Sequence, residues 1–438
     1  MTTRTPTVTG PVPGDLPPYG APPDELLPES YVVEEYQFEG STVAYAFAHD
    51  VHPPIDGRWD VDEAAEATYR TRLLVVRPDD AARFNGTVVV AWQNVSAGYE
   101  IGSPPAEALA GGAWVGVSAQ EVGLYGHPAG MAYGGARALP LLEHDPQRYG
   151  TLLHPGDQGS FDIFTQAGRA VGPRRSGDVD PLAGLPVQRT IAVGGSQSAM
   201  RLVAYLNAVH PHAGVFDGFV LSVWEGRAPR PEIGAIGMGV RTAIRDQPTP
   251  VIVVNSEFEA PHLSQLPVHD TEHLRVWEVA GTPHAPVRSH IGPPDTRGLV
   301  GNPLSITPVH EAALRAMHQW LATGTPAPAQ PRITIEPGTR PSIRRDDDGN
   351  AIGGIRLPEL AVPTHEYRGM AFGTGRAPLF GSARPFSDDD LRVRYPDRAK
   401  FTERWNSAVD ELVASGALRP EDAPPMRARA DEVKLPVD

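Results

Sequence analysis

Residues 194–198, Gly-Gly-Ser-Gln-Ser, contain a serine of the kind that attacks a carbonyl carbon. This segment follows an apolar run, Thr190–Gly194, which predicts a buried strand, and it precedes Ala199–Val209, which has helical spacing. A serine in the tight turn between a strand and a helix forms a nucleophile elbow, which lifts the hydroxyl out of the sheet. We therefore predict that Ser196 is a nucleophile for acyl transfer.

The residues around Ser196 have suitable sizes for such a turn. The strand and the helix approach closely there, so the residues two positions before and after the serine must be small. Gly194 meets this requirement, and Ser198 stands where a second glycine is more common. The turn would also aim the Gln197 N–H toward a tetrahedral oxyanion. The alternatives are a plain Gly/Ser loop whose hydroxyls cap the helix, or Ser198 as the nucleophile, although no glycine stands at the required offset before it.

A serine hydroxyl is a weak nucleophile at neutral pH and needs a general base. Two acids, Glu257 and Glu259, follow the predicted strand Pro250–Asn255, and His284 follows the predicted strand Leu274–Val279. Serine, acid and histidine in this chain order, each after a strand, are typical of hydrolases with a mostly parallel sheet. We predict His284 as the base and Glu259 as the acid that orients it. Glu257 is the alternative acid, and it could instead accept hydrogen bonds from backbone amides of the loop.

Two further segments are candidates for binding the substrate. The loop after the predicted strand Thr87–Trp92 would supply the second oxyanion donor, and we assign this role to the backbone of Asn94 and Val95. Residues 224–247 lie between two predicted strands, where a cap can be inserted. Trp224 in this segment could line an acyl or alcohol pocket, but it could equally pack inside the cap.

The alternation of short apolar runs with helical stretches predicts an α/β fold with a mostly parallel sheet flanked by helices. We predict a flexible N-terminal arm at 1–30, a core at 31–325 with a cap insertion near 224–247, and a C-terminal extension at 326–438 that packs on the core. The further predicted strands are Val32–Asp50, Tyr69–Val76, Trp114–Ser118 and Phe216–Val223. The further predicted helices are a short one around Pro104–Leu109, then Phe161–Val171, Val309–Leu321 and Phe401–Ala414.

Composition excludes several classes of function. The formal net charge of -15 disfavours binding to nucleic acid or to an anionic membrane surface. Cysteine is absent, which excludes disulfides, thiolate metal sites and cysteine nucleophiles. We find no phosphate-binding or dinucleotide-binding glycine motif, and His210-Pro211-His212 is too isolated to predict a metal site, so we expect no cofactor and no metal. No secretory signal or apolar run of roughly 20 residues is present, so a soluble cytoplasmic protein is expected.

The sequence also resembles a bacterial family of α/β-hydrolase-domain proteins over most of its length. The resemblance rests on short motifs distributed along the chain, at 85–90, 92–96, 145–149, 196–198, 277–284 and 348–356. The most specific of these are Ser-Gln-Ser at 196–198 and Trp-Glu-Val-Ala-Gly-Thr-Pro-His at 277–284. The resemblance implies an α/β-hydrolase fold that includes the C-terminal extension, and carboxylic-ester hydrolase activity. It also implies a triad of Ser196, an acid within 256–259, and His284.

The expected partner is therefore a small-molecule ester. The same residues could also act on a lactone, a thioester or an amide, or catalyse acyl transfer or cyclisation. An interpretation of a different class is a non-catalytic binding module built on the hydrolase fold.

Overall fold

The computed structural model describes residues 3–48, 53–127, 139–232, 239–286, 301–371 and 377–437. The end of the predicted strand Val32–Asp50 and residues 233–238 of the predicted cap lie outside the described residues. The chain divides into two compact units, Met1–Val251 and Ile252–Asp438.

The first unit contains a sheet of seven strands, in the order β1, β2, β3, β5, β4, β6, β7. These strands are β1 (Thr7–Thr9), β2 (Tyr31–Phe47), β3 (Val61–Pro78), β4 (Thr87–Trp92), β5 (Ala113–Val117), β6 (Arg189–Gly195) and β7 (Gly218–Ser222). Pairing is antiparallel from β1 to β5 and parallel from β5 through β4 and β6 to β7. A separate antiparallel pair follows, β8 (Arg227–Ala228) with β9 (Val240–Arg241).

The burial of the strands explains this arrangement. Every residue of β4 and β5 is buried, as expected for parallel strands that are covered on both faces. In β3, the half that pairs with β5 is buried throughout, whereas its first half is largely exposed and pairs only with β2.

Two longer helices of the first unit pack beside the parallel strands. The helices of this unit are α1 (Glu121–Tyr125), α2 (Leu141–His144), α3 (Pro146–Tyr149), α4 (Ser160–Val171), α5 (Gln197–Ala208) and α6 (His210–Ala213), with 3₁₀ turns at Asp24–Leu26, Ala81–Arg83, Glu107–Leu109 and Asp157–Gly159. The ring of Phe164 in α4 lies 4.8 Å from that of Trp92 in β4 and 4.9 Å from that of Phe216. Such aromatic clusters bury much apolar area and fix the helix against the sheet.

The second unit contains β10 (Val251–Ser256), except for its first residue, and the neighbouring strand β11 (Leu274–Val279). Its helices are α7 (Ala260–Leu263), α8 (Thr307–Thr323), α9 (Pro358–Ala361), α10 (Asp388–Arg394), α11 (Arg398–Ala414) and α12 (Ala423–Glu432), with 3₁₀ turns at Ala377–Phe380 and Pro420–Asp422. Two short antiparallel pairs complete it, β12 (Ile335–Glu336) with β13 (Ser342–Ile343), and β14 (His365–Arg368) with β15 (Ser382–Pro385).

Residues beyond 325 pack directly on β11. Ile355 forms a parallel bridge with Val279, and the Trp277 indole donates to the Pro328 carbonyl at 3.0 Å. The Glu278 carboxylate accepts hydrogen bonds from the Arg332 side chain at 2.7 Å and from the Ile333 N–H at 2.8 Å. Within the second unit, this part of the chain is therefore integrated with the strand that precedes His284.

Most predicted elements agree with the structure within three residues at each end, and β4 and β11 agree at both ends. β3 begins eight residues earlier than predicted, and the helix predicted around Pro104–Leu109 is only the 3₁₀ turn Glu107–Leu109. Within the segment predicted as a flexible arm, Thr7–Thr9 pairs with β2 and the Tyr19 N–H donates to the Tyr149 hydroxyl at 3.1 Å. The predicted domain boundaries remain a prediction.

A buried ionic cluster on β3 stabilises the first unit. The guanidinium of Arg72 pairs with the carboxylates of Glu35 and, at 2.6 Å, of Glu100, and all three side chains are 1–2% exposed. Burial lowers the pKa of Arg72, but the carboxylates of Glu100 and Glu35 outweigh this effect and raise it above its ordinary value. Arg72 therefore stays charged and offsets two anions that water does not reach.

We predict that Arg72→Met lowers the free energy of unfolding by about 3–5 kcal/mol, because it leaves the buried carboxylate of Glu100 without its cation, while Glu35 keeps only Arg148. Arg70→Met is the matched control, since Arg70 lies on the same strand and pairs with Glu39 where both side chains are more than a third exposed. This control should cost about 1 kcal/mol or less. Urea unfolding of both variants measures the difference, and equal losses would contradict the prediction.

Candidate active site

Ser196 occupies the turn between β6 and α5, with φ 56° and ψ -119°. A positive φ is rare for a residue with a side chain and costs roughly 1–3 kcal/mol, so the surroundings must hold it in place. The Ser196 N–H donates to the carbonyl of Ser222, the last residue of β7, at 2.9 Å. The predicted strand, tight turn and helix are all present around this serine.

Close packing explains the small residues around the turn. A Cβ on Gly194 would lie 2.8 Å from the Leu202 side chain and 3.1 Å from the Ser198 Cβ. Ser198 is fully buried and donates its hydroxyl to the Gly195 carbonyl at 3.1 Å. Ser196 is half-buried, so of the two serines it is the one whose position suits a nucleophile.

The loop after β4 is fastened to this turn through Asn94. The Asn94 side-chain amide donates to the Gly195 carbonyl at 2.9 Å, and its side-chain oxygen accepts from the N–H of Ser96 at 2.9 Å. The Asn94 N–H donates to the Ile101 carbonyl at 3.2 Å. That N–H is used within the loop, whereas the Asn94 side chain contacts the turn that carries Ser196; the role of oxyanion donor stays a prediction.

Two backbone N–H groups of the first unit remain candidates for binding an oxyanion. Gln197 is the first residue of α5, where an N–H has no acceptor within the helix and the helix dipole favours negative charge. Among the residues that the structure describes, the Val95 N–H donates no hydrogen bond.

A buried polar network that the sequence did not predict holds the Gln197 side chain. Its amide donates to the Gln120 side-chain oxygen at 2.9 Å, and the Trp92 indole donates to the same oxygen at 3.0 Å. The Gln120 amide donates to Asp157 at 2.8 Å, and Arg201 of α5 donates to the same carboxylate oxygen at 2.8 Å. The network therefore links the start of α5 to β4 and to a buried ion pair.

In the second unit, the structure brings Glu259 and His284 together. The Glu259 carboxylate is fully buried, and its Oε1 lies 2.6 Å from His284 Nδ1. Its Oε2 accepts hydrogen bonds from the N–H of Ser256 at 2.9 Å and from the Ser256 hydroxyl at 2.6 Å. An ionised carboxylate only accepts hydrogen bonds, so the bond to an ionised Glu259 requires the ring proton on Nδ1. The ring of Phe258 contacts the imidazole edge to face at 5.5 Å between centroids.

Glu257, the alternative acid, has different partners. It is fully buried and accepts hydrogen bonds from the N–H of Gly281 at 2.8 Å, from the N–H of Gly369 at 3.0 Å and from the Arg345 guanidinium at 2.7 Å. Of the two glutamates, Glu259 is the one that contacts His284, and Glu257 binds backbone amides as the alternative interpretation of the sequence anticipated.

Two further residues from the sequence analysis, Trp224 and His210, are both buried. Trp224 is fully buried and donates its indole N–H to the Arg227 carbonyl at 2.7 Å, so a role in a substrate pocket remains a prediction. His210 is buried, which lowers its pKa to about 4. Among the described residues, no cluster of three His, Asp or Glu side chains could hold a metal ion. In that same part of the chain, no helix combines the length and the apolar character needed to cross a bilayer.

We predict that Ser196→Gly unfolds with a free energy about 1 kcal/mol higher than Ser196→Ala, because glycine adopts the observed φ and ψ without strain. Alanine keeps the strain while it also removes the hydroxyl, so it is the matched reference. Chemical denaturation of the two variants tests this, and a glycine variant less stable than the alanine variant would contradict it.

The chain shows low similarity to several solved structures. Esterase Est22 with p-nitrophenol is 13% identical, with a TM-score of 0.28; the match covers 53% of this chain and spans 66% of Est22. A putative dienelactone hydrolase from Klebsiella pneumoniae is 11% identical over 66% of this chain and 99% of that one, with a TM-score of 0.30. A putative acetyl xylan esterase from Bacteroides fragilis is 12% identical over 57% and 67%, with a TM-score of 0.27. No curated protein matches the sequence.

The family comparison covers far more of the chain. The sequence profile of the family described as "alpha/beta hydrolase domain" matches residues 7–428, which confirms the predicted fold class. The chain belongs to the α/β hydrolase domain family.

Proposed function

We propose that the protein is a serine hydrolase that cleaves carboxylic esters through an acyl-enzyme intermediate. In this proposal Ser196 is the nucleophile, His284 the general base and Glu259 the acid that orients the base. The observation that carries it is the 2.6 Å contact between Glu259 Oε1 and His284 Nδ1, formed by a fully buried carboxylate. A base that removes a proton through Nε2 needs such a partner on Nδ1, which fixes the tautomer and stabilises the imidazolium.

The strained turn at Ser196 supports the role of nucleophile. Strain of this kind persists only where the surrounding structure holds it, and it is concentrated at functional sites. The bond from the Ser196 N–H to Ser222 and the close packing of Gly194 provide that support. Membership of the α/β hydrolase domain family is consistent with a serine in this position.

The proposed reaction has two steps. In the first, His284 accepts the Ser196 proton while the serine oxygen attacks the ester carbonyl, and the N–H groups of Gln197 and Val95 stabilise the oxyanion. His284 then donates the proton to the departing alcohol, which leaves an ester of Ser196. In the second step, water attacks this acyl-enzyme while His284 accepts its proton, and His284 then donates that proton to the serine oxygen as the bond to the acyl group breaks and the acid leaves.

We predict that a fluorophosphonate probe labels the wild-type protein on Ser196. Ser196→Ala should abolish labelling and lower kcat for p-nitrophenyl butyrate by at least about 10⁴-fold, because the nucleophile is lost. Ser198→Ala is the matched control, and it should still be labelled because that hydroxyl is buried and donates to the Gly195 carbonyl. Mass spectrometry of the labelled peptide identifies the site, and labelling that survives in Ser196→Ala would remove this serine from the mechanism.

We also predict that Glu259→Gln lowers kcat by up to about 10⁴-fold, because a neutral amide neither fixes the His284 tautomer nor stabilises its cation. KM should change far less, since the carboxylate does not contact the substrate in this mechanism. Glu272→Gln, an exposed acid in the same unit, serves as the control. Steady-state kinetics separate the two constants, and an unchanged kcat in Glu259→Gln would exclude this acid.

A further inference from the structure

The loop that carries His284 is held by residues from the later part of the chain. The Ala280 N–H donates to the Ile355 carbonyl at 2.9 Å, and the Ala285 N–H donates to the Leu379 carbonyl at 3.0 Å. The Gly281 carbonyl accepts from the Asn302 side chain at 2.6 Å. These contacts fasten the loop on both sides of the histidine.

Glu257 lies where the two catalytic loops meet. Its N–H donates to the Thr282 carbonyl at 3.1 Å, and its carboxylate accepts from the Gly281 N–H at 2.8 Å. Along the chain it precedes Glu259 by only two residues. A displacement of Glu257 would therefore move both partners of the bond between Glu259 and His284.

The partners that fix Glu257 come from the C-terminal part of the chain. Arg345 donates to Oε1 at 2.7 Å, and the Gly369 N–H donates to the same oxygen at 3.0 Å. Arg345 is the cation that offsets the fully buried charge, and its side chain is 21% exposed. Gly369 packs so closely that a Cβ there would lie 2.7 Å from both the Glu257 Cβ and the Thr282 carbonyl oxygen.

We propose that Arg345 is a positioning residue for the hydrolase reaction, acting through Glu257 to hold His284 against Glu259. The inference rests on the function proposed above. In this proposal Arg345 and Gly369 of the C-terminal extension set the position of His284, although neither contacts the reacting atoms. Small displacements matter in such a site, because a shift of about 1 Å costs on the order of 100-fold in rate.

The test compares Arg345→Met with Arg344→Met in the full-length protein. Arg344 is the adjacent arginine and pairs with Glu336 at the surface, at 3.6 Å, with both side chains more than half exposed. Arg345→Met should lower kcat for p-nitrophenyl butyrate by about 10- to 100-fold, because the base is no longer held in position. KM should stay within about threefold, because the residues that bind the substrate are unchanged. Arg344→Met should keep both constants, and Arg345→Lys should recover part of kcat, because it retains the charge without the planar fork.

A spectroscopic measurement separates positioning from stability alone. The proton on His284 Nδ1 that is shared with Glu259 should give a downfield proton NMR signal in the wild type and in Arg344→Met. In Arg345→Met that signal should shift upfield or broaden, and labelling by fluorophosphonate should slow in proportion to kcat. A variant with a lower melting temperature but wild-type kcat and an unchanged signal would overturn the proposal.

A second variant covers the case in which Arg345→Met does not fold. The double variant Arg345→Met/Glu257→Gln removes both charges, so it leaves no buried anion unpaired, and it should fold but remain slow. Wild-type kcat in the folded double variant would overturn the inference. If the proposed function itself is wrong, the result differs: the wild type escapes labelling, or Ser196→Ala keeps its activity.

Discussion

Two carboxylates, two residues apart, are fully buried after one strand of the second unit, and much of that unit follows from this constraint. A buried anion is costly unless hydrogen bonds and a cation compensate for the lost water. Glu259 is satisfied by Ser256 and by His284. Glu257 is satisfied by two backbone amides and by Arg345. The need to satisfy both charges ties the acid loop, the histidine loop and the C-terminal extension to one another.

In the first unit, hydrogen bonds and close packing hold the strained backbone of Ser196 in place. The positive φ of Ser196 persists because the turn is held from several sides, by Ser222, by Asn94 and by close packing at Gly194. Behind the turn, the buried pair of Asp157 with Arg201 anchors the glutamines that fix the start of α5.

The sequence predicted the parts of this structure that depend on local pattern. The bounds of β4 and β11 follow from continuous apolar runs, and the turn at Ser196 follows from a small-residue motif between a strand and a helix. The preference for Glu259 over Glu257 also agrees with the contact to His284. What the sequence did not reveal depends on residues distant along the chain. Arg345 pairs with a glutamate 88 positions earlier, and no local pattern marks that partnership.

The loop after β4 shows that the position of a residue along the chain does not determine which of its groups form hydrogen bonds. The chain position of Asn94 predicted an oxyanion donor, yet its N–H is consumed by a bridge to Ile101 across the same loop. Its side chain instead binds the Gly195 carbonyl next to the serine. The hydrogen bonds that a loop makes with itself decide which of its N–H groups are available to other partners, and a sequence pattern does not show these bonds. The role of the Val95 N–H as an oxyanion donor stays a prediction.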